Sequence, residues 1–301
     1  MAINSRTFIL TLSFILAILP AVSAQSEDDV VKIDSSVVVL NATIVDASGN
    51  AVGGLTQPLF KIFEDGVEQQ IEFFAAEETP FAAVILLDTS GSMEERVSLA
   101  RSAAIQFLGG LRINDSAAIY KFDSKVDLIQ GFSNSRDINE KIFDVESRGM
   151  TALNDAVYLA ATELEKRPEK RRAIIVLSDG RDTFSGKSAD KALKAALAAN
   201  ASIYTVDMSA LNTSGVERAQ NQGALRNFAE KTGGIFIKTP GGVAMREAFK
   251  DIVEELGVQY TLGYQPANTK TDGKWRALEL RVSRPNLTIR TRKGYYPEKA
   301  K

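Results

Sequence analysis

Asp88, Ser90 and Ser92 stand at alternate positions directly after the apolar run Phe81-Ala82-Ala83-Val84-Ile85-Leu86-Leu87. One carboxylate and two hydroxyls are therefore presented where a buried strand ends. These are hard oxygen donors, the kind that Mg²⁺ and Ca²⁺ take. Asp179 closes a second apolar run, Ala173-Ile174-Ile175-Val176-Leu177, after Ser178, and Thr151 lies in Arg148-Gly149-Met150-Thr151-Ala152-Leu153 just before a helical pattern. In an open parallel sheet, loops at the carboxyl ends of strands converge on ligands, so these three segments can meet although they are far apart in sequence. Each piece also has a local explanation, because Asp and Ser cap helices and Asp-Gly pairs make turns. Asp123 and Asp207 also end strands and read as loop or cap residues. Asp155, four residues after Thr151, reads as a hydrogen-bond acceptor behind the site.

Composition excludes several other chemistries. The 301 residues include no His and no Cys, which removes a His general base, a thiol nucleophile and a disulfide framework. Asp88-Thr89-Ser90-Gly91-Ser92 has neither the Lys of a phosphate loop nor the glycine spacing of a dinucleotide fingerprint. A phosphohydrolase using Asp88 as nucleophile would usually place a second acid where Ser90 stands. Charge is nearly balanced, 36 basic against 38 acidic residues, so there is no broad nucleic-acid footprint. The cluster Lys166-Arg167 with Lys170-Arg171-Arg172 reads as a solvated loop.

The elements that must position the oxygens change character along the chain. Residues 1–24 carry Arg6, an apolar stretch from Phe8 to Leu19 and small residues ending at Ala24, a secretory signal pattern with cleavage after Ala24. The stretch is too short to span a bilayer, and no later one is long and apolar enough. Residues 25–79 read as short strands, with Asp65-Gly66 turning a hairpin whose second arm runs from Val67 to Phe74. From 80 to 257, apolar strands alternate with amphipathic helices, which predicts an α/β, doubly wound, mostly parallel sheet flanked by helices. Residues 258–297 return to strands. The N- and C-terminal segments are each too small to bury a core well, so they are expected to form one accessory β-rich module, a discontinuous sandwich, the alternative being that each extends or covers the α/β domain separately.

Over roughly residues 80–257 the chain resembles the von Willebrand factor A domain family, on Asp88-x-Ser90-x-Ser92, then Thr151, then Asp179 in Ser-Asp-Gly. The resemblance implies a Rossmann-like fold and a metal-ion-dependent adhesion site. In that site Ser90, Ser92 and Thr151 would supply hydroxyl oxygens, and Asp88 and Asp179 would bind the ion directly or through water. The ion would be Mg²⁺, with Mn²⁺ or Ca²⁺ as alternatives. Gly91 would let the loop turn tightly beside it. Many relatives have Gly-Gly-Thr where this chain has Gly149-Met150-Thr151. The expected partner is a protein ligand presenting an Asp or Glu carboxylate, and the expected function is exported, secreted or periplasmic adhesion rather than catalysis. A purely structural envelope protein, its metal only stabilising the loops, is the alternative.

Overall fold

The computed structural model describes residues 37–76, 79–136, 139–143, 149–210, 214–238 and 242–297. The expected signal segment lies outside the described residues. The chain enters through β1 (Val38–Val45), β2 (Phe60–Glu64), β3 (Val67–Gln69) and β4 (Ile71–Ala75). Asp65 and Gly66 both have positive φ, 48° and 82°, which is the turn that lets β2 and β3 pair with the right-handed twist of strands.

The α/β region follows as β5 (Phe81–Asp88), α1 (Val97–Gly109), β6 (Ser116–Phe122), β7 (Val126–Ser133) and α2 (Leu153–Glu165). It continues through β8 (Arg171–Ser178), α3 (Ala189–Ala198), β9 (Ala201–Asp207), α4 (Gly215–Thr232), β10 (Phe236–Ile237) and α5 (Gly242–Gly257). The chain then returns to β11 (Tyr260–Tyr264), β12 (Arg276–Val282), β13 (Thr288–Thr291) and β14 (Gly294–Tyr295).

The central sheet has the order β10-β9-β8-β5-β6-β7. Its pairings are parallel except β6 with β7, which is antiparallel at one edge. Every residue of β5 is buried, as expected for a strand covered on both faces. Phe81, Ala83, Ile85 and Leu87 pack with Phe107 and Leu108 of α1 and with Phe249 and Leu256 of α5. The intervening Ala82, Val84 and Leu86 pack against Leu153 and Val157 of α2, Ala196 of α3 and Phe228 of α4. From β5 the chain crosses to β6 on one side, and from β8 it crosses to β9 on the other. The loops after β5 and β8 therefore diverge and open a crevice at the switch point.

The strands outside this region form two four-stranded sheets, β13-β1-β11-β4 and β14-β12-β2-β3, each drawing on both ends of the chain. Leu40, Ile44, Phe60, Ile62, Tyr260, Leu262, Leu278 and Leu280 fill the shared core. The arm expected as one strand from Val67 to Phe74 is two: β3 pairs with β2, whereas β4 pairs with β11 in the opposite sheet. Within this core Glu64 accepts the hydroxyls of Tyr264 at 2.6 Å and Tyr295 at 2.9 Å and faces Arg276 at 3.1 Å.

Arg171 corrects the reading of its cluster as a solvated loop, because its side chain is fully buried. The guanidinium donates to the carbonyls of Ala76 at 2.6 Å and Gly257 at 3.2 Å and to the Thr261 hydroxyl at 3.2 Å. Burial pulls it down to about 10, still charged at neutral pH. It is held because a rigid fork of N–H donors can satisfy several carbonyls at once, including those ending α5.

Candidate functional site

Asp88 ends β5 with no exposed surface, and its carboxylate is held from three directions. Oδ1 accepts the Ser90 N–H at 2.9 Å and the Ser90 hydroxyl at 2.6 Å, and Oδ2 accepts the Ser178 hydroxyl at 2.5 Å. Ser90 Oγ lies 3.1 Å from Ser92 Oγ, so the Asp88, Ser90 and Ser92 oxygens form a connected row. A short 3-10 turn, Gly91–Met93, follows, and neither it nor α1 has a side-chain cap at its N-terminus. The capping explanation of Asp88 and Ser90 therefore fails: their oxygens are turned toward one another.

Backbone bonds bring the other two loops to this row. The Gly91 N–H donates to the Gly149 carbonyl at 3.1 Å, joining the β5 loop to the segment that carries Thr151. Thr151 N–H donates to Thr183 Oγ1 at 3.0 Å, and the N–H groups of Thr183 and Phe184 both donate to the Thr151 carbonyl at 2.9 Å. Those bonds join Thr151 to the loop after β8. Thr151 does not cap α2, whose N-cap is Ala152 with no side-chain bond. Asp179, 5% exposed, accepts the Arg181 N–H at 3.1 Å and lies 3.4 Å from Arg181 Nε. Arg181 also reaches Glu217 at 2.5 Å, so its charge is shared between two carboxylates.

Glycines make the close approach possible, though not the expected one. Gly91 has no positive φ, and a Cβ there would sit 3.6 Å from the Gly149 carbonyl, an ordinary contact. Gly180 is the constrained position: its φ is +85°, and an added Cβ would fall 2.4 Å from the Asn221 carbonyl of α4.

Electrostatically, Asp88 is a buried carboxyl to which, among the described residues, no basic side chain is bonded. Burial raises it from 3.8 to about 7, its serine hydrogen bonds pull the other way, and the nearby charge of Asp179 adds to the rise. Two neighbouring carboxylates beside the Ser90 and Ser92 hydroxyls, with Thr151 tied in through its backbone, offer hard oxygens of the kind a divalent cation takes. Among the described residues no three His, Cys, Asp or Glu side chains gather into a metal-binding group, so a cation here would draw on hydroxyls as much as on carboxylates.

Residues 83–181, which contain all five of these side chains, match the von Willebrand factor type A domain family. The chain carries a von Willebrand factor type A domain. Among solved structures, von Willebrand factor type A from Catenulispora acidiphila is 13% identical, with 88% of this chain and 75% of that chain covered at a TM-score of 0.50. The von Willebrand factor domain of the type V pili tip protein Mfa5 from Porphyromonas gingivalis is 12% identical, with 64% and 98% covered at 0.49. The PilB minor pilin from Streptococcus sanguinis is 14% identical, with 60% of this chain and 62% of the pilin covered at 0.46. At these identities the likeness is one of fold. No curated protein matches the chain by sequence.

Within the A domain, Ser178 takes a role that its residue type alone does not announce. It donates to Asp88 and accepts the Gly180 N–H at 3.0 Å, which fixes the Asp88 carboxylate relative to the Asp179 loop. Its place before Asp-Gly at a strand end was the available signal. Asp155 accepts the N–H groups of Gly186 and Lys187, both at 2.8 Å, and so holds the far end of the Thr183 loop. Asp207 repeats the Asp88 arrangement on β9, accepting the Ser209 N–H at 2.9 Å and hydroxyl at 2.6 Å, with Gln222 in place of Ser178.

Proposed function

We propose that the domain is a protein-binding module in which a divalent cation, Mg²⁺ first among candidates, bridges Asp88, Ser90, Ser92, Thr151 and Asp179 to an acidic side chain of a partner. The observation that carries this reading is the buried Asp88 carboxylate, fixed by hydroxyls and, among the described residues, left without a basic partner while a second carboxylate stands close by. A bound cation supplies the missing positive charge and, with coordination positions left over, an electrophilic centre for an incoming carboxylate. The protein's share of the work is to keep the loops fixed, which the Gly91–Gly149 and Thr151–Thr183 bonds do.

Adhesion is favoured over hydrolysis because the chain has no His or Cys and Ser90 occupies the place of a second acid. The Mfa5 and PilB structures are of a pilus tip protein and a minor pilin, a setting that agrees with an exported binding protein. Export itself is proposed from the N-terminal sequence. Among the described residues no helix is long and apolar enough to cross a membrane.

The test is calorimetric titration of Mg²⁺ into the chain and into Asp88→Ala, followed by capture of envelope proteins with and without EDTA. Saturable uptake lost in Asp88→Ala, together with EDTA-sensitive capture, is expected. Unchanged ion affinity in the variant would remove Asp88 from the site. Capture that survives EDTA, while EDTA lowers the melting temperature, would make the ion structural only.

A further inference from the structure

We propose that the partner offers its carboxylate next to a large apolar side chain, and that Met150 and Phe184 receive that neighbour. This rests on the ion-and-carboxylate reading above. Met150 is 49% exposed and Phe184 52% exposed, although the backbone at both is tied to the site. Met150 stands between Gly149, whose carbonyl accepts the Gly91 N–H at 3.1 Å, and Thr151. Phe184 donates its own N–H to the Thr151 carbonyl at 2.9 Å. Two large apolar side chains thus rise from backbone fixed on either side of one proposed ligand, with about half of each in water. Apolar residues scattered singly over a surface are ordinary, but a pair anchored to the same residue of a binding crevice marks an edge meant to be covered.

On the loop that also carries Phe184, Arg181 spans Asp179 and Glu217 and has its charge met within the chain, so it has little to offer an incoming group. The rim of the site therefore combines a self-neutralised ion pair with two exposed apolar side chains. Charge complementarity sets the first element of the occupant, a carboxylate for the cation. The apolar edge sets the second, a Phe, Leu, Ile or Met within a residue or two of that acid. An interface of this form joins a charged contact to apolar burial that excludes water around it, the arrangement in which a few residues carry most of the affinity.

The experiment uses the full chain and two labelled synthetic peptides, each with a single Glu, flanked by Phe and Leu in one and by Gly and Ser in the other. Fluorescence anisotropy in Mg²⁺ reads their affinities, and calorimetry without peptide reads ion uptake separately. The apolar-flanked peptide is expected to bind about tenfold more tightly. Met150→Ser with Phe184→Ser should erase that preference while leaving ion uptake unchanged, and Met150→Leu with Phe184→Leu should keep it. Equal affinities of the two peptides, or a preference that survives the double Ser variant, would overturn the proposal and leave the ion reading standing. Absence of ion uptake by the unaltered chain would overturn both. Mg²⁺-dependent self-association blocked by the double Ser variant would make a second copy the occupant, and this partner assignment would fall.

Discussion

Replacing Asp88 by Asn tests the electrostatic logic of the site most directly, because it removes a charge while nearly keeping a shape. The folded protein holds the Asp88 proton up to about pH 7, whereas the unfolded chain releases it near the ordinary 3.8. Folding without an ion therefore takes up a proton between these values, so stability falls as pH rises from about 4 to 7 and then levels. At 1.36 kcal/mol for each pH unit, the ion-free protein at pH 8 carries a penalty of at most about 4 kcal/mol from this group. Asn escapes that penalty but turns an NH₂ toward the Ser178 hydroxyl, whose proton loses the acceptor that Asp88 provides, a mismatch costing about 2 kcal/mol. Asp88→Asn in EDTA should accordingly be about 2 kcal/mol more stable than the unaltered protein at pH 8, and about level with it at pH 5. Mg²⁺ at a hundredfold excess over its Kd should add about 2.7 kcal/mol to the unaltered protein and nothing to the variant. Urea unfolding at both pH values, with EDTA or with Mg²⁺, measures all of these. Parallel pH dependence in the two proteins would refute the burial reasoning, and equal stabilisation by Mg²⁺ would refute the assignment of Asp88 as a ligand.

Ser178→Ala should leave the fold intact and weaken Mg²⁺ binding by roughly 10- to 100-fold, read by calorimetry, because the carboxylate loses the hydroxyl that aims it. Gly180→Ala should cost more than about 2 kcal/mol in urea unfolding, since φ +85° and a Cβ placed 2.4 Å from the Asn221 carbonyl strain the turn together. Arg171→Leu should cost about 2–6 kcal/mol in the same assay, about 1–3 for each of the Ala76 and Gly257 carbonyls that loses its donor. Glu64→Ala should cost a similar amount, about 3–5 kcal/mol, because Arg276 would be left buried without its carboxylate, and a rise rather than a fall in melting temperature would contradict this.

The α/β architecture was readable because β5 and β8 are continuous apolar runs, the pattern a strand needs when helices cover both faces, and because helical spacing fills the gaps between them. The candidate residues stand out for a related reason: Asp88, Thr151 and Asp179 lie at element ends, where polar groups in such a sheet must go. Tertiary choices left weaker traces. Nothing in Val67 to Phe74 announces that the chain changes sheets at Gln70, because both halves are compatible with a strand and only the partner differs. Arg171 looks like its less buried neighbours in a basic cluster, since burial of a guanidinium depends on carbonyls contributed by residues more than 80 positions away. Gly91 drew attention by its place between two serines, yet the glycine under constraint is Gly180, pressed by a helix the local sequence does not reveal. Ser178 was visible, but its task depends on Asp88 lying across the crevice.

The pairing of β1 with β11 and β13 has a mechanical consequence. Because the strands on either side of the A domain share sheets, the domain leaves and re-enters the sandwich through two adjacent connections, and Arg171 bonds to both, at Ala76 and at Gly257. A pull applied along the chain from Val38 to Tyr295 is carried across the ladders of the sandwich, whereas the three loops holding Asp88, Thr151 and Asp179 lie at the carboxyl ends of β5 and β8, the ends away from those connections. A grip made there would be loaded only by what it holds.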